Sequence, residues 1–133
     1  MSSSAAAPVA LTDTAADPPR LDPHRLDCYR VSLEFCAFAA HLIPRGHREL
    51  RDQLTRASLS IPLNCAESVG RVSPADKAHF FAIARGSAME CGAIVDAARS
   101  LGLISVGAAK EAGWLLVRIV QMLTRLEAKT RGR

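Results

Sequence analysis

The sequence predicts an all-α fold, an antiparallel up-and-down four-helix bundle. Three observations predict it. Apolar residues recur at three-and-four spacing in four consecutive segments, the mark of helices with one buried face. Apolar residues make up 49% of the chain and aromatics only 5%, and this Ala- and Leu-rich balance favours packed helices over strands, which draw on β-branched and aromatic side chains. The connectors are short and marked by Pro and Gly, so successive helices must pack as neighbours running up and down. A chain of 133 residues has room for one such domain.

Residues 1–24 are rich in Ser, Ala, Pro and Thr. Such a segment buries too little apolar surface to offset its ordering entropy and is expected to be a disordered tail, with the bundle over 25–129 and a basic tail over 130–133. The first helix is expected over 26–43, with Tyr29, Leu33, Cys36 and Ala40 on its core stripe and Leu26, Val31, Phe35, Phe38 and Leu42 beside it. Pro44-Arg45-Gly46 stops it. The second is expected over 47–70. Leu50, Leu54, Ala57 and Ile61 face the core, while Leu59, Leu63 and Ala66 form a second apolar line on another side. A helix with two apolar faces needs two partners, so Leu59, Leu63 and Ala66 are expected to meet a second copy of the chain in a homo-oligomer. Pro62 lies inside this helix and deprives the Ser58 carbonyl of its donor, which predicts a kink and not a break.

The third helix has the clearest start: Ser73 at the N-cap, Pro74 in the first turn, and Asp76 where the helix dipole favours a negative charge. Its stripe reads Phe80, Ala84, Ser87, Cys91, Ile94, Ala98 and Leu101, and Gly102 is the expected C′ residue. Gly86, inside the helix, is expected to permit close approach opposite the Pro62 kink. The fourth helix is expected over 105–128 on a heptad of Ala112, Leu116, Ile119, Leu123 and Leu126, broadened by Trp114, Leu115 and Met122.

The formal net charge is +4, with a pI near 9.2. The expected tail holds Arg20 against Asp13, Asp17 and Asp22, so the bundle itself is more basic than the whole chain. Two basic groups are candidate nucleic-acid contacts: Arg45, Arg48 and Arg51 at the start of the second helix, and Lys129, Arg131 and Arg133 at the C-terminus. In a ring of subunits such charges add into a field that holds a phosphate backbone without reading sequence. Most aromatics fall on core stripes, which leaves base stacking little support. A polar line of Arg56, Ser60, Asn64, Glu67 and Arg71 runs along the second helix, with Ser87 and Glu90 on the third. Set among apolar residues, these groups are expected to satisfy one another as a seam that fixes helix register, and the same seam is the one candidate small-ligand site.

Catalytic patterns are missing. His24, His41, His47 and His79 are scattered without a helical His pair or a Glu-x-x-His motif, so no metal is expected. Gly86-Ser87 lies mid-helix and not at a strand-to-helix elbow, and no Gly-rich loop precedes a Lys. Cys28, Cys36, Cys65 and Cys91 form no C-x-x-C pair and read as small buried hydrophobes. With neither a signal sequence nor an apolar run of membrane length, the expected location is the cytoplasm.

Two blocks carry a family resemblance: Arg56-Ala57-Ser58-Leu59-Ser60-Ile61-Pro62-Leu63-Asn64-Cys65-Ala66-Glu67 and Phe81-Ala82-Ile83-Ala84-Arg85-Gly86-Ser87-Ala88-Met89-Glu90-Cys91. With Leu26-Asp27-Cys28-Tyr29-Arg30 and Met122-Leu123-Thr124-Arg125-Leu126, they resemble the bacterial four-helix bundle proteins of 23S rRNA intervening sequences over roughly residues 25–127. The chain is also similar to the accessory variability proteins of diversity-generating retroelements. The resemblance implies an antiparallel bundle, a homopentameric ring, no catalytic residues and no cofactor. Through the second group it implies a nucleic-acid partner and a reverse transcriptase. One departure is that Glu67 is followed by Ser68-Val69 before Gly70, where the family commonly continues Ala-Glu-Gly. The expectation is a non-enzymatic, pentameric scaffold that binds nucleic acid through a basic surface. The alternatives are a purely structural protein-interaction module and a small-ligand binder using the seam.

Overall fold

The computed structural model describes residues 16–132. The expected disordered tail lies outside them as far as residue 15, as does Arg133. A single 3-10 turn, Asp22–Arg25, leads into four helices: α1 (Asp27–Ala39), α2 (Arg48–Gly70), α3 (Pro74–Ser100) and α4 (Val106–Thr130). Each packs on the next and α4 returns to α1, while the diagonal pairs do not approach. This is the up-and-down antiparallel bundle expected from the sequence. At 1.5 Å per residue α3, with 27 residues, is about 40 Å long, whereas α1, with 13, is about 20 Å. The bundle therefore has three long walls and one short one.

The helix ends follow their cap residues. Ser73 Oγ accepts from the Asp76 N–H at 3.2 Å, with Pro74 opening α3, and Ser105 Oγ accepts from the Ala108 N–H at 3.0 Å at the start of α4. Gly102 has φ +72°. Around it the Leu103 N–H donates to Ala98 O at 2.9 Å and the Gly102 N–H to Arg99 O at 3.0 Å, the paired bonds of a glycine-terminated helix. At the other end of the bundle Ser68, fully buried, donates to Lys77 O at 2.7 Å, and Lys77 Nζ reaches back to Ser68 O and Val69 O. A lysine on the last carbonyls of a helix also meets the negative end of its dipole. Ser68 and Lys77 thus lock the end of α2 to the start of α3.

Helix α2 runs through Pro62 unbroken. Proline has no N–H, so the Ser58 carbonyl one turn back lacks its helical donor. The thiol of Cys36 on α1 supplies a replacement, donating to Ser58 O at 3.2 Å. A buried carbonyl left unpaired costs about 1–3 kcal/mol, so this contact fixes both the proline and the depth at which α1 crosses α2. Lower on the same pair of helices Cys28 Sγ lies 3.6 Å from Cys65 Sγ.

The core mixes a few large side chains with many small ones. Phe35, Leu54, Ile61, Ile119 and Leu123 are fully buried among Ala57, Ala84, Ala88, Ala98, Ala112 and three cysteines. Some stripes differ from expectation. In α1 the core positions are Cys28, Val31, Phe35 and Ala39, while Leu33 and Ala40 are exposed. In α3 Phe81 is buried in place of Phe80, which is half-buried beneath the Arg71 guanidinium at 4.7 Å, and Leu101 is exposed. Gly86 is exposed, and a Cβ built there meets nothing within 4 Å, so it does not mediate the close approach expected of it. Gly92 does face a neighbour, Leu116 Cδ1 at 4.0 Å.

Two stability measurements check this account. Cys36→Ala is expected to cost about 1 kcal/mol in urea unfolding. In a Pro62→Ala background, where residue 62 regains its N–H, the same change is expected to cost markedly less. Equal costs in both backgrounds would show that the thiol does not serve the Ser58 carbonyl. Gly86→Ala is expected to raise stability by about 1 kcal/mol, because it removes backbone entropy from the unfolded chain without a clash. A loss of stability there would reveal a packing role.

Candidate functional site

The apolar line Leu59–Leu63–Ala66 lies on the side of α2 away from the core. Leu59 is 45% and Leu63 66% exposed, whereas Leu54, Ile61 and Cys65 on the inner side are at most 1% exposed. Ala66 is half-buried. Leu33 of α1 is also exposed; it sits three residues before Cys36, whose thiol meets α2 beside Leu59. Helical spacing puts Leu33 on the flank of the same outer face. A single subunit does not enclose these side chains.

The polar seam is partly assembled. Ser60 Oγ and Ser87 Oγ are 2.7 Å apart, joining α2 to α3. Asn64 Nδ2 donates to Ser60 O at 2.8 Å and to Ser60 Oγ at 3.0 Å, and Ser87 Oγ donates to Ile83 O at 3.1 Å. Glu67 pairs with Arg71 at 2.5 Å on the surface of α2. Arg56 and Glu90 stand apart from this network. Both are exposed and, with Gln53, Ala57, Ser60 and Ser87, line a shallow groove of about 290 Å³. The hydroxyls on its floor already satisfy one another, which is how a register-fixing contact looks.

The two predicted basic groups lie at opposite ends of the bundle. Arg45, in the α1–α2 turn, and Arg48 are exposed, and Arg51 is half-buried. Arg48 approaches Asp52 at 3.8 Å, an exposed pair that contributes little. His47, Arg48 and Leu50 border Leu101 and Leu103 at the far end of α3. Lys129 instead borders Leu26 and Asp27 at the start of α1. Arg131 Nε reaches Glu127 Oε1 at 3.4 Å, and Glu127 Oε2 also pairs with Arg85 Nη1 of α3 at 2.6 Å. No single surface brings the five described residues, Arg45, Arg48, Arg51, Lys129 and Arg131, together.

Sequence reasoning missed a more continuous feature on α4. Trp114, expected to broaden the core stripe, is 73% exposed. Four and eight residues apart along the same side stand Lys110, Trp114 and Arg118, followed by Gln121, Arg125 and Lys129, all exposed. Among the described residues none of these four cations has a carboxylate within 4 Å. The signal was present in the sequence as the complement of the α4 heptad. Four core positions, Ala112, Leu116, Ile119 and Leu123, leave the 110/114/118/121/125/129 stripe facing outward.

Three of the four thiols are poor nucleophiles, whereas the buried Cys28 thiol is drawn below its ordinary value by its contact with Cys65. All four are free, and Cys28, Cys65 and Cys91 are buried. The Cys65 thiol is pushed up by its contact with Cys28 and by burial, burial raises Cys36, and burial pushes Cys91 up to about 12 from the ordinary 9.0. Among the described residues no three His, Cys, Asp or Glu side chains gather to hold a metal, and no helix is long and apolar enough to cross a membrane. Because folded Cys91 keeps its proton where the unfolded chain sheds it, its contribution to stability is complete below pH 9 and is lost as pH rises toward 12. Cys91→Ala is therefore expected to give a shallower fall in unfolding free energy over that interval than the wild type. Parallel curves would show that this thiol titrates normally.

The profile of the family described as 23S rRNA-intervening sequence protein matches residues 25–125, which takes in all four helices but the C-terminal end of α4. The chain belongs to that family. No curated protein matches it at a significant level.

Proposed function

We propose that this member of the 23S rRNA-intervening sequence protein family is a non-enzymatic, self-assembling scaffold whose subunits join through the outer face of α2 and whose summed positive charge holds nucleic acid. The exposure of Leu59 and Leu63 carries the reading. Burying a leucine contributes about 1.5–3 kcal/mol, and the family block Arg56–Glu67 spends two leucines on the side of α2 that its own bundle leaves open. A homopentameric ring is the stoichiometry the resemblance implies. A ring also multiplies the +4 of each chain, which turns mild basicity into a field strong enough to draw in a phosphate backbone. The likeness to the accessory variability proteins extends the proposal to a reverse-transcriptase partner, and four free thiols suit a reducing cytoplasm.

Light scattering on the eluting protein tests the assembly. The wild type is expected at about five times the 14.2 kDa of one chain, and Leu59→Glu/Leu63→Glu at one subunit mass with its helical content intact. A wild type that elutes as a monomer at micromolar concentration contradicts the proposal. Binding to RNA or DNA that is measurable at about 50 mM salt and strongly weakened by about 200 mM is the expected companion result.

A further inference from the structure

We infer that the outer face of α4 is a track for single-stranded nucleic acid, on which Trp114 stacks a base and Lys110, Arg118, Arg125 and Lys129 hold phosphates. This rests on the nucleic-acid reading above and, Lys129 apart, places it on residues that reading does not use. Trp114 is the only tryptophan of the chain, and 73% of it lies in solvent on a helix whose other side is fully engaged in the core. An indole face left open among cations that no described carboxylate pairs is the combination by which proteins take up unpaired bases: the ring stacks on any base and the cations follow the backbone. From Lys110 to Lys129 the stripe rises about 28 Å along the helix. From Trp114 to Lys129 no carboxylate stands on the stripe, since Glu127 is turned to Arg85 and Arg131; Glu111, exposed beside Lys110 and one turn before Trp114, is the acidic residue at its border.

A second feature lies alongside. Between α3 and α4 runs an apolar groove of about 250 Å³ lined by Ala88, Met89, Leu116, Val117, Val120 and Gln121. Val117 is half exposed and Met89 more so. Val117 is one turn along from Trp114, so the groove offers apolar contact to bases that follow the stacked one.

Other occupants fit less well. A lipid surface needs the apolar side of an amphipathic helix, and in α4 that side is the core: Ala112, Ile119 and Leu123 have no exposure. A second copy docked on this face about a two-fold axis sets cations against cations. A duplex presents charge but no unpaired base for Trp114, so the indole favours the single strand.

The test uses the full-length protein with a short oligothymidylate and, separately, a duplex of the same length. Because Trp114 is the sole tryptophan, its fluorescence reports the contact directly. Quenching that saturates together with the anisotropy of a labelled oligothymidylate is expected, with weaker binding of the duplex. The logarithm of the binding constant is expected to fall with log salt at a slope near −3, about −0.7 for each of four phosphate contacts. Trp114→Ala is expected to weaken binding about tenfold and Trp114→Phe much less, with circular dichroism unchanged because the side chain is exposed. Arg118→Gln/Arg125→Gln is expected to flatten the slope by about 1.4. Binding without quenching, or binding indifferent to the Trp114 and Arg118/Arg125 changes, overturns the track and leaves the broader nucleic-acid reading standing. Equal affinity for the duplex, or capture of anionic vesicles in place of the oligonucleotide, also overturns it. No binding of either nucleic acid at about 50 mM salt removes both.

Discussion

Close approach of α3 to its two neighbours is the constraint on which the bundle depends. Helices pack at 8–10 Å according to the side chains between them, and here those side chains are small. Ala57 on α2, Ala84, Ala88, Cys91 and Ala98 on α3, and Ala112 on α4 are all buried, and Ser60 meets Ser87 hydroxyl to hydroxyl across the α2–α3 contact. Each small residue buries little area, so cohesion comes from many short contacts along three long helices, fastened by the Ser68–Lys77 bonds at one end and the Gly102 turn at the other. Small core residues also displace large ones. Leu33, Leu59, Leu63, Met89 and Trp114 end up outside, and the surface of the molecule is chemically more distinctive than its interior.

Helix α1 joins this frame through sulfur. Its thiols meet α2 twice, Cys36 at the Ser58 carbonyl that Pro62 leaves free and Cys28 at Cys65. A proline inside a helix is tolerated when a neighbouring element re-satisfies the freed carbonyl, and here a cysteine from the shortest helix does so. This ties two residues of the family-matched region, Cys36 and Pro62, to one physical purpose and gives Cys36 a role that needs neither a disulfide nor a metal.

Much of the fold was legible in the sequence. Ser73-Pro74 and Gly102 bracket α3 because capping is local chemistry that tertiary packing does not overrule. The stripes of α2 and α4 were legible because each had a regular run of Leu and Ile. The stripe of α1 was not: with apolar residues on most of its circumference, Tyr29–Leu33–Cys36–Ala40 and Cys28–Val31–Phe35–Ala39 both keep helical spacing, and only packing selects the second. Phe80 and Phe81 posed the same choice. Trp114 was misread for the opposite reason. Hydrophobicity argued for burial, while its position in the heptad, opposite Ala112 and Leu116, placed it outside. In the polar seam, Ser60, Asn64 and Ser87 were legible as mutually satisfying. Arg56 and Glu90 are long enough to leave the seam for water, which spacing alone does not reveal.

Two outer faces therefore divide the surface: an apolar one on α2, suited to a second subunit, and a cationic one on α4 that carries an open indole. If self-association uses the first, the second stays available in the assembly. Hydroxyl-radical footprinting of the native protein reads both in one experiment. Trp114 is expected to be oxidised readily, while Leu63, 66% exposed in the single subunit, is protected relative to Leu101 at 69%, and Leu59 is protected with it. Leu63 oxidised as fast as Leu101 would mean that nothing covers the back of α2 and would contradict the account at its centre.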